Sequence, residues 1–370
     1  MKICAFFAGV LLCISTFSCS SSSETSDDNS LSTNPVSYNL IVSGGSGLYV
    51  QTVLSDIEGL SVGTTATSFS GFSTPAVKYS TASKISLYLR TNDCGGKFLI
   101  YDFKTDTEIT ETLFSDLAPC NISVIAIAHQ GNQLFLSYSL TTAGKKYAYF
   151  IRSVDLNTNS FLDAPLDKKP LDMELSKDRL FILSTDESGT NDNWITVIDV
   201  KEKNFVHEMN VGQKATKIFK NPLGAIVISY PGSHTSLNSL TLESTYTKYA
   251  ADKEPNFFGS RTLLFDGTGK MYYTMKTTEG DYTPAVYDFN DNMTTVYYFE
   301  NFLTESQLQV QFDIKEATVV GYDDVNKLIL IGYKKDGNNG GGIIRITPAP
   351  DLTFLDHLDL EDVPYSFFTK

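Results

Sequence analysis

The chain has 370 residues and a formal net charge of −14, with 42% hydrophobic and 12% aromatic residues. That charge excludes a nucleic-acid footprint, which needs clustered cations to displace counterions from phosphates, and it argues against peripheral binding to anionic lipid. The hydrophobic share permits a core, and the frequent Tyr, Phe and β-branched residues favour half-buried pleated surfaces.

At the N-terminus, Lys2 and the apolar run over residues 3–17 read as a cleaved export signal. The run is shorter than the ~20 residues of a permanent spanning helix. "TFS" before Cys19 is similar to the lipobox of bacterial lipoproteins, apart from the bulky Phe17. The resemblance implies a diacylglycerol thioether on Cys19, and with more than one acyl chain the anchor is stable. An ordinary signal peptide cut near Ser18 is the alternative. No second apolar stretch approaches membrane length, so the lipid is expected to be the only anchor.

"SSSSETSDDNSLSTNP", residues 20–35, has no apolar periodicity and several carboxylates, so it reads as a tether that cannot bury enough surface to order itself. Serines and acids directly behind the cysteine resemble the export signal of surface-exposed lipoproteins in Bacteroidota-type bacteria. That resemblance implies an outer-membrane protein facing outside the cell. The expected organisation is a signal over 1–18, a lipidated tether over 19–35 and one domain over 36–370.

Strand-like runs then recur roughly 45 to 55 residues apart, the spacing of four-stranded propeller blades. They are "KISLYLRT" from Lys84, "NQLFLSYS" from Asn132, "DRLFILST" from Asp178, "LGAIVISY" from Leu223, "GKMYYTMK" from Gly269 and "NKLILIGY" from Asn326. Each is followed by a polar loop and a second run, and in four of these Asp102, Asp155, Asp199 and Asp288 fall at matching places before a turn. A further strand precedes most units: "ISVIAIAHQ", "LDMELS", "ATKIFKN", "RTLLFDG" and "ATVVGYDD".

The ends supply a seventh blade. "SYNLIVSGGSGLYVQTVLSDIEGLSV" has the look of strands two to four, and "VPYSFFTK" of the missing first strand. Closure by that C-terminal strand removes the free sheet edges. The reading is an all-β, seven-bladed propeller of antiparallel blades; a twin β-sandwich competes but does not require such regular spacing. The whole resembles bacterial seven-bladed propellers of the surface-lipoprotein and quinoprotein-like type, although neither a WD nor a kelch motif is maintained.

Loops between second and third strands share a face with the connections between blades, and here they are long and polar, so that face is the expected site. Cys4 and Cys13 leave with the signal and Cys19 carries lipid, which leaves Cys94 and Cys120, both expected on that face. An even pair in an exported chain reads as a disulfide, with two free thiols as the alternative. Tyr138, Tyr230 and Tyr333 end equivalent strands where these loops begin, and Trp194 closes the fourth-blade loop. They are candidates to stack on a ligand at the mouth, against the plainer reading of packing between blades. His234 is placed in a top loop as a candidate ligand contact, without a partner at the spacing of a general base; His129, His207 and His357 fall in or beside strands.

"DESGTNDN" lacks the terminal glutamate of an EF-hand, "GNNGGG" and "SGGSG" open no helix, and GxSxG, HExxH and SxxK are absent. No catalytic residue, metal site or cofactor is assigned. The expected function is a binding module that captures a small molecule, such as a glycan fragment or an iron chelate, for an outer-membrane transporter. The resemblance implies a TonB-dependent receptor as the partner. A lactonase-like propeller hydrolase and a protein-interaction or adhesion platform are the alternatives, the former weakened by inner strands that read as apolar or basic with few acids.

Overall fold

The computed structural model describes residues 34–369 apart from 70, 74–76, 92–93, 143–145, 252, 261 and 338–339. The export signal, Cys19 and the tether as far as residue 33 lie outside the described residues.

Seven four-stranded antiparallel sheets follow one another along the chain. Blade 1 is completed from both ends of the domain: Val363–Thr369 forms its inner strand and pairs with Val36–Gly44, which continues into Gly47–Asp56 and Gly59–Phe69. Blades 2 to 7 are contiguous, with inner strands Val77–Ser80, Ile122–Gln130, Lys169–Ser176, Lys217–Lys220, Leu263–Phe265 and Ile314–Asp323. The protein is thus a seven-bladed propeller whose ring is closed by the C-terminal strand. Closure satisfies the backbone groups along both sides of the Val36–Gly44 strand.

The period-2 patterns explain the packing. Second and third strands carry apolar residues on both faces, because each sheet is sandwiched between two neighbours. The buried clusters accordingly bridge adjacent blades: Leu136 and Tyr138 of blade 3 pack with Phe98 and Ile100 of blade 2, and Leu183 of blade 4 with Ile228 of blade 5. Two buried arginines repeat one device at matching places in blades 3 and 7. Arg152 pairs across to Asp163 and Arg345 across to Asp356, each through bidentate contacts from a third to a fourth strand. Each arginine also reaches outside its blade, Arg152 to Asp116 in the preceding connection and Arg345 to Ser55 in blade 1. Tyr38 adds a second closing contact, donating to Asp323 of blade 7 at 2.6 Å.

The four matching aspartates end the third strands as turn caps. Asp102, Asp155, Asp199 and Asp288 accept the backbone N–H two residues ahead, at 2.9 Å in each case. Asp56 and Asn238 do the same in blades 1 and 5. Side-chain acceptors placed this way hold the tight turn that leads into the outer strand.

One of the long polar loops expected between second and third strands, "YPGSHTS" of blade 5, is corrected. In blade 5 the third strand is Ser233–Leu237, joined to Ile226–Tyr230 by the two-residue turn Pro231–Gly232; "YPGSHTS" is therefore a hairpin, and "ESTYTKY" supplies the fourth strand. A short polar strand such as SHTSL gives no apolar alternation, and its hairpin register is what holds it. The connection into blade 7 carries short helical turns at Phe299–Asn301 and Gln307–Gln311.

Candidate functional site

Strand direction alternates within each blade, so turns between first and second strands lie on one face and turns between second and third on the other. On the first of these faces the inner turns of blades 2 to 5 converge around an open cavity of about 430 Å³. Tyr79, Lys84, His129, Lys177, Lys220 and Leu223 are among its lining residues. They come from the ends of inner strands, the turns that follow or, for Lys84, the start of the second strand, where ring geometry aims short segments from successive blades at one axis.

Further along the channel the wall is charged. Asp172 and Glu174 alternate on the inner strand of blade 4, while Lys217 and Lys220 stand on that of blade 5. Asp172 accepts from its neighbour Met173 N–H at 2.9 Å and from Ile218 N–H of blade 5 at 3.2 Å. Glu174 accepts from Leu175 N–H at 2.9 Å and from the Tyr79 hydroxyl of blade 2 at 2.8 Å. Lys217 donates to Ser260 of blade 6, and Lys220 to the Leu175 carbonyl of blade 4 at 3.0 Å. Desolvation pushes the Asp172 and Glu174 carboxyls up and the Lys217 ammonium down, although opposite charges across the wall restrain all three.

His129 lies at the cavity edge with its ring buried. Nε2 meets the Gly131 carbonyl at 2.9 Å, so it carries the proton, and Nδ1 has no hydrogen-bond partner among the described residues. Burial lowers its pKa.

The residues expected to rim the other face are placed differently. Tyr138 is 2% exposed, stacks on Phe150 at 5.4 Å and packs edge-on to Phe114 between blades 2 and 3. Tyr333 is fully buried in the cluster of blades 6 and 7 and donates to Asp359 at 3.0 Å. Tyr230 is partly buried and donates to the Val211 carbonyl at 2.8 Å. His234 belongs to a strand, is 2% exposed and shares a 2.8 Å hydrogen bond with Tyr249 inside an aromatic cluster. Trp194 is half-buried under the Lys168 ammonium, 4.5 Å from its ring. None of the five lines the cavity. Aromatic side chains at strand ends are drawn into the seams between blades, where a whole ring face is desolvated.

The same seam accounts for glycine in "GNNGGG". A Cβ on Gly342 would collide with the Tyr333 ring, so glycine at that position serves packing. Cys94 and Cys120 are joined by a disulfide on the second–third loop face, linking a blade 2 loop to the connection entering blade 3. Among the described residues, no three His, Cys, Asp or Glu side chains gather to hold a metal ion.

The charged channel wall is what the sequence reading missed. Its signal was present: "LDMELS" places acids at alternate positions, and "ATKIFKN", one blade later, places lysines facing them. The two segments carry complementary charge only when they are known to be neighbouring inner strands.

No protein-family model and no curated protein matches the chain. Solved structures do match. A protein from Lactobacillus plantarum aligns with a TM-score of 0.54 at 9% identity, over 91% of this chain and 100% of that one. A putative 6-phosphogluconolactonase from Bacteroides fragilis aligns with a TM-score of 0.53 at 11% identity, over 91% and 98%. A second putative 6-phosphogluconolactonase, from Bacteroides uniformis, gives 0.52 at 11% identity, over 91% and 99%. At such identity the likeness is one of fold.

Proposed function

We propose that the protein is a surface-tethered capture module, which holds a small polar ligand in the channel-mouth cavity and presents it to an outer-membrane transporter. The observation that carries this reading is the cavity itself, about 430 Å³ and lined from four blades by hydroxyl, imidazole and ammonium groups. Polar groups converging from rigid elements recognise a ligand at small conformational cost. The lysines suit carboxylate, phosphate or catecholate oxygens, which both acidic glycan fragments and iron chelates carry. Lipid on Cys19 and export to the cell surface belong to the same proposal and rest on the sequence around that cysteine.

Isothermal titration of the purified protein against acidic oligosaccharides and ferric chelates tests the ligand. Heat from one class, reduced at least about tenfold in affinity by Lys220→Ala, is expected for loss of a charge-assisted hydrogen bond. Absence of heat across both classes overturns the reading.

A sugar-lactone hydrolase is the second reading. Two fold neighbours are described as putative 6-phosphogluconolactonases. In this chain desolvation makes Glu174 keep its proton to higher pH than a free carboxyl, as a general acid needs, although the hydroxyl that Tyr79 donates to it works the other way. Turnover of a lactone panel that Glu174→Gln abolishes would establish it.

A further inference from the structure

The three lysines that line the cavity are not equivalent. Lys84 is paired with Asp102 at 3.1 Å, so its charge is already matched. Lys177, in the first–second turn of blade 4, and Lys220, at the end of the inner strand of blade 5, are exposed and form no ion pair among the described residues. Lys220 gives one of its three ammonium donors to the Leu175 carbonyl at 3.0 Å and keeps the others. The nearest acids are held elsewhere: Asp178 accepts from Gln130 at 2.6 Å, and Glu174, which faces Lys220, accepts from Tyr79 and the Leu175 N–H. No Asp or Glu is among the residues lining the cavity, and burial lowers the His129 pKa, so that ring adds little charge above neutral pH.

The turns that carry Lys177 and Lys220 are fastened together. Ser176 donates to the Gly224 carbonyl at 2.6 Å and Ser239 to the same oxygen at 2.9 Å. The Lys177 stem lies over Gly224, where a Cβ would come 3.3 Å from its Cε. The roots of both lysines are therefore fixed relative to each other before a ligand arrives. Tyr79 is the one aromatic side chain lining the cavity among the described residues, and its ring packs into the apolar clusters of blades 2 to 4, which leaves little face for a flat ligand. Pro222 and Leu223, the latter 88% exposed, supply an apolar edge instead.

We propose that Lys177 and Lys220 set the charge of the ligand: the cavity takes a dianion on an aliphatic or sugar scaffold, either a phosphate monoester or a pair of carboxylates, and discriminates against monoanions and aromatic chelates. The inference rests on the capture reading and adds the ligand's charge and the two residues that select it. Ammonium groups act as point charges without a fork, so two of them match two negative charges in either arrangement.

Isothermal titration of the purified full-length protein at pH 8 tests this with glucose 6-phosphate, digalacturonate, glucuronate and a ferric tris-catecholate. One dianion is expected to bind at least about tenfold more tightly than glucuronate, and which one does so separates phosphate from paired carboxylates. Lys177→Met and Lys220→Met should each remove most of that margin, whereas Lys84→Met should leave it. Glucuronate binding as tightly as the dianions, the catecholate binding more tightly, or variants that weaken all ligands alike overturn the selection by charge while the capture reading stands. No heat from any of the four removes the capture reading and the inference together.

Discussion

Tyr79 of blade 2 donates its hydroxyl to Glu174 of blade 4 over 2.8 Å, although blade 3 stands between them in the ring. The bond ties two inner strands that share no backbone pairing. It also joins the two parts of the site, since Tyr79 lines the cavity and Glu174 belongs to the charged wall.

Tyr79→Phe removes that donor and leaves a desolvated carboxylate with one backbone N–H. A loss of about 1 kcal/mol in unfolding free energy is expected. A double-mutant cycle with Glu174→Ala should return a coupling of similar size; additive effects in urea denaturation would show that the bond contributes nothing.

His234 sets a pH dependence. Burial lowers its pKa from 6.5 to about 4, so the folded state binds its proton less readily than the unfolded chain. The resulting stability is present above pH 6.5 and is lost as pH falls through 4, to a total on the order of 3 kcal/mol. Buried His129 works in the same direction, whereas Asp172 and Glu174, pushed up, work in the opposite one. The informative measurement is therefore the difference between wild type and His234→Gln: denaturation midpoints should converge towards acid pH and diverge near neutrality.

The Cys94–Cys120 bridge closes a loop of 26 residues. Chain entropy assigns it about 3 kcal/mol, and Cys94→Ser with Cys120→Ser should lower the guanidinium midpoint accordingly. Reductant should shift the wild type towards the double variant and leave the variant unmoved.

Arg345 tests ring closure. It is 1% exposed and holds Asp356 in its own blade and Ser55 in blade 1. Asp356→Ala strands a buried guanidinium and should cost about 2 kcal/mol or more, whereas Arg345→Met keeps the volume without the charge and should cost less. The reverse order in urea titrations would mean that the ion pair stabilises the seam in its own right.

Alternating apolar runs at a fixed period, turn aspartates after the third strands and a strand-like C-terminus were legible in the sequence, because each depends on neighbours a few residues apart or on simple counting. Seven blades and their closure followed from them. "SHTSL" was not legible, since a polar strand is held by its hairpin partner and has no pattern of its own. The burial of the aromatic candidates was not legible for a related reason: Tyr138, Tyr333 and His234 stand at or near strand ends, but which way a ring turns depends on the neighbouring blade, and the seams between blades bury it. The repeat, the ring and a pair of cysteines able to meet follow from the chain alone. Folding alone brings Asp172, Glu174, Lys217 and Lys220 to one channel and opens the cavity between the turns of blades 2 to 5, because both depend on residues tens to more than a hundred positions apart being brought to one axis.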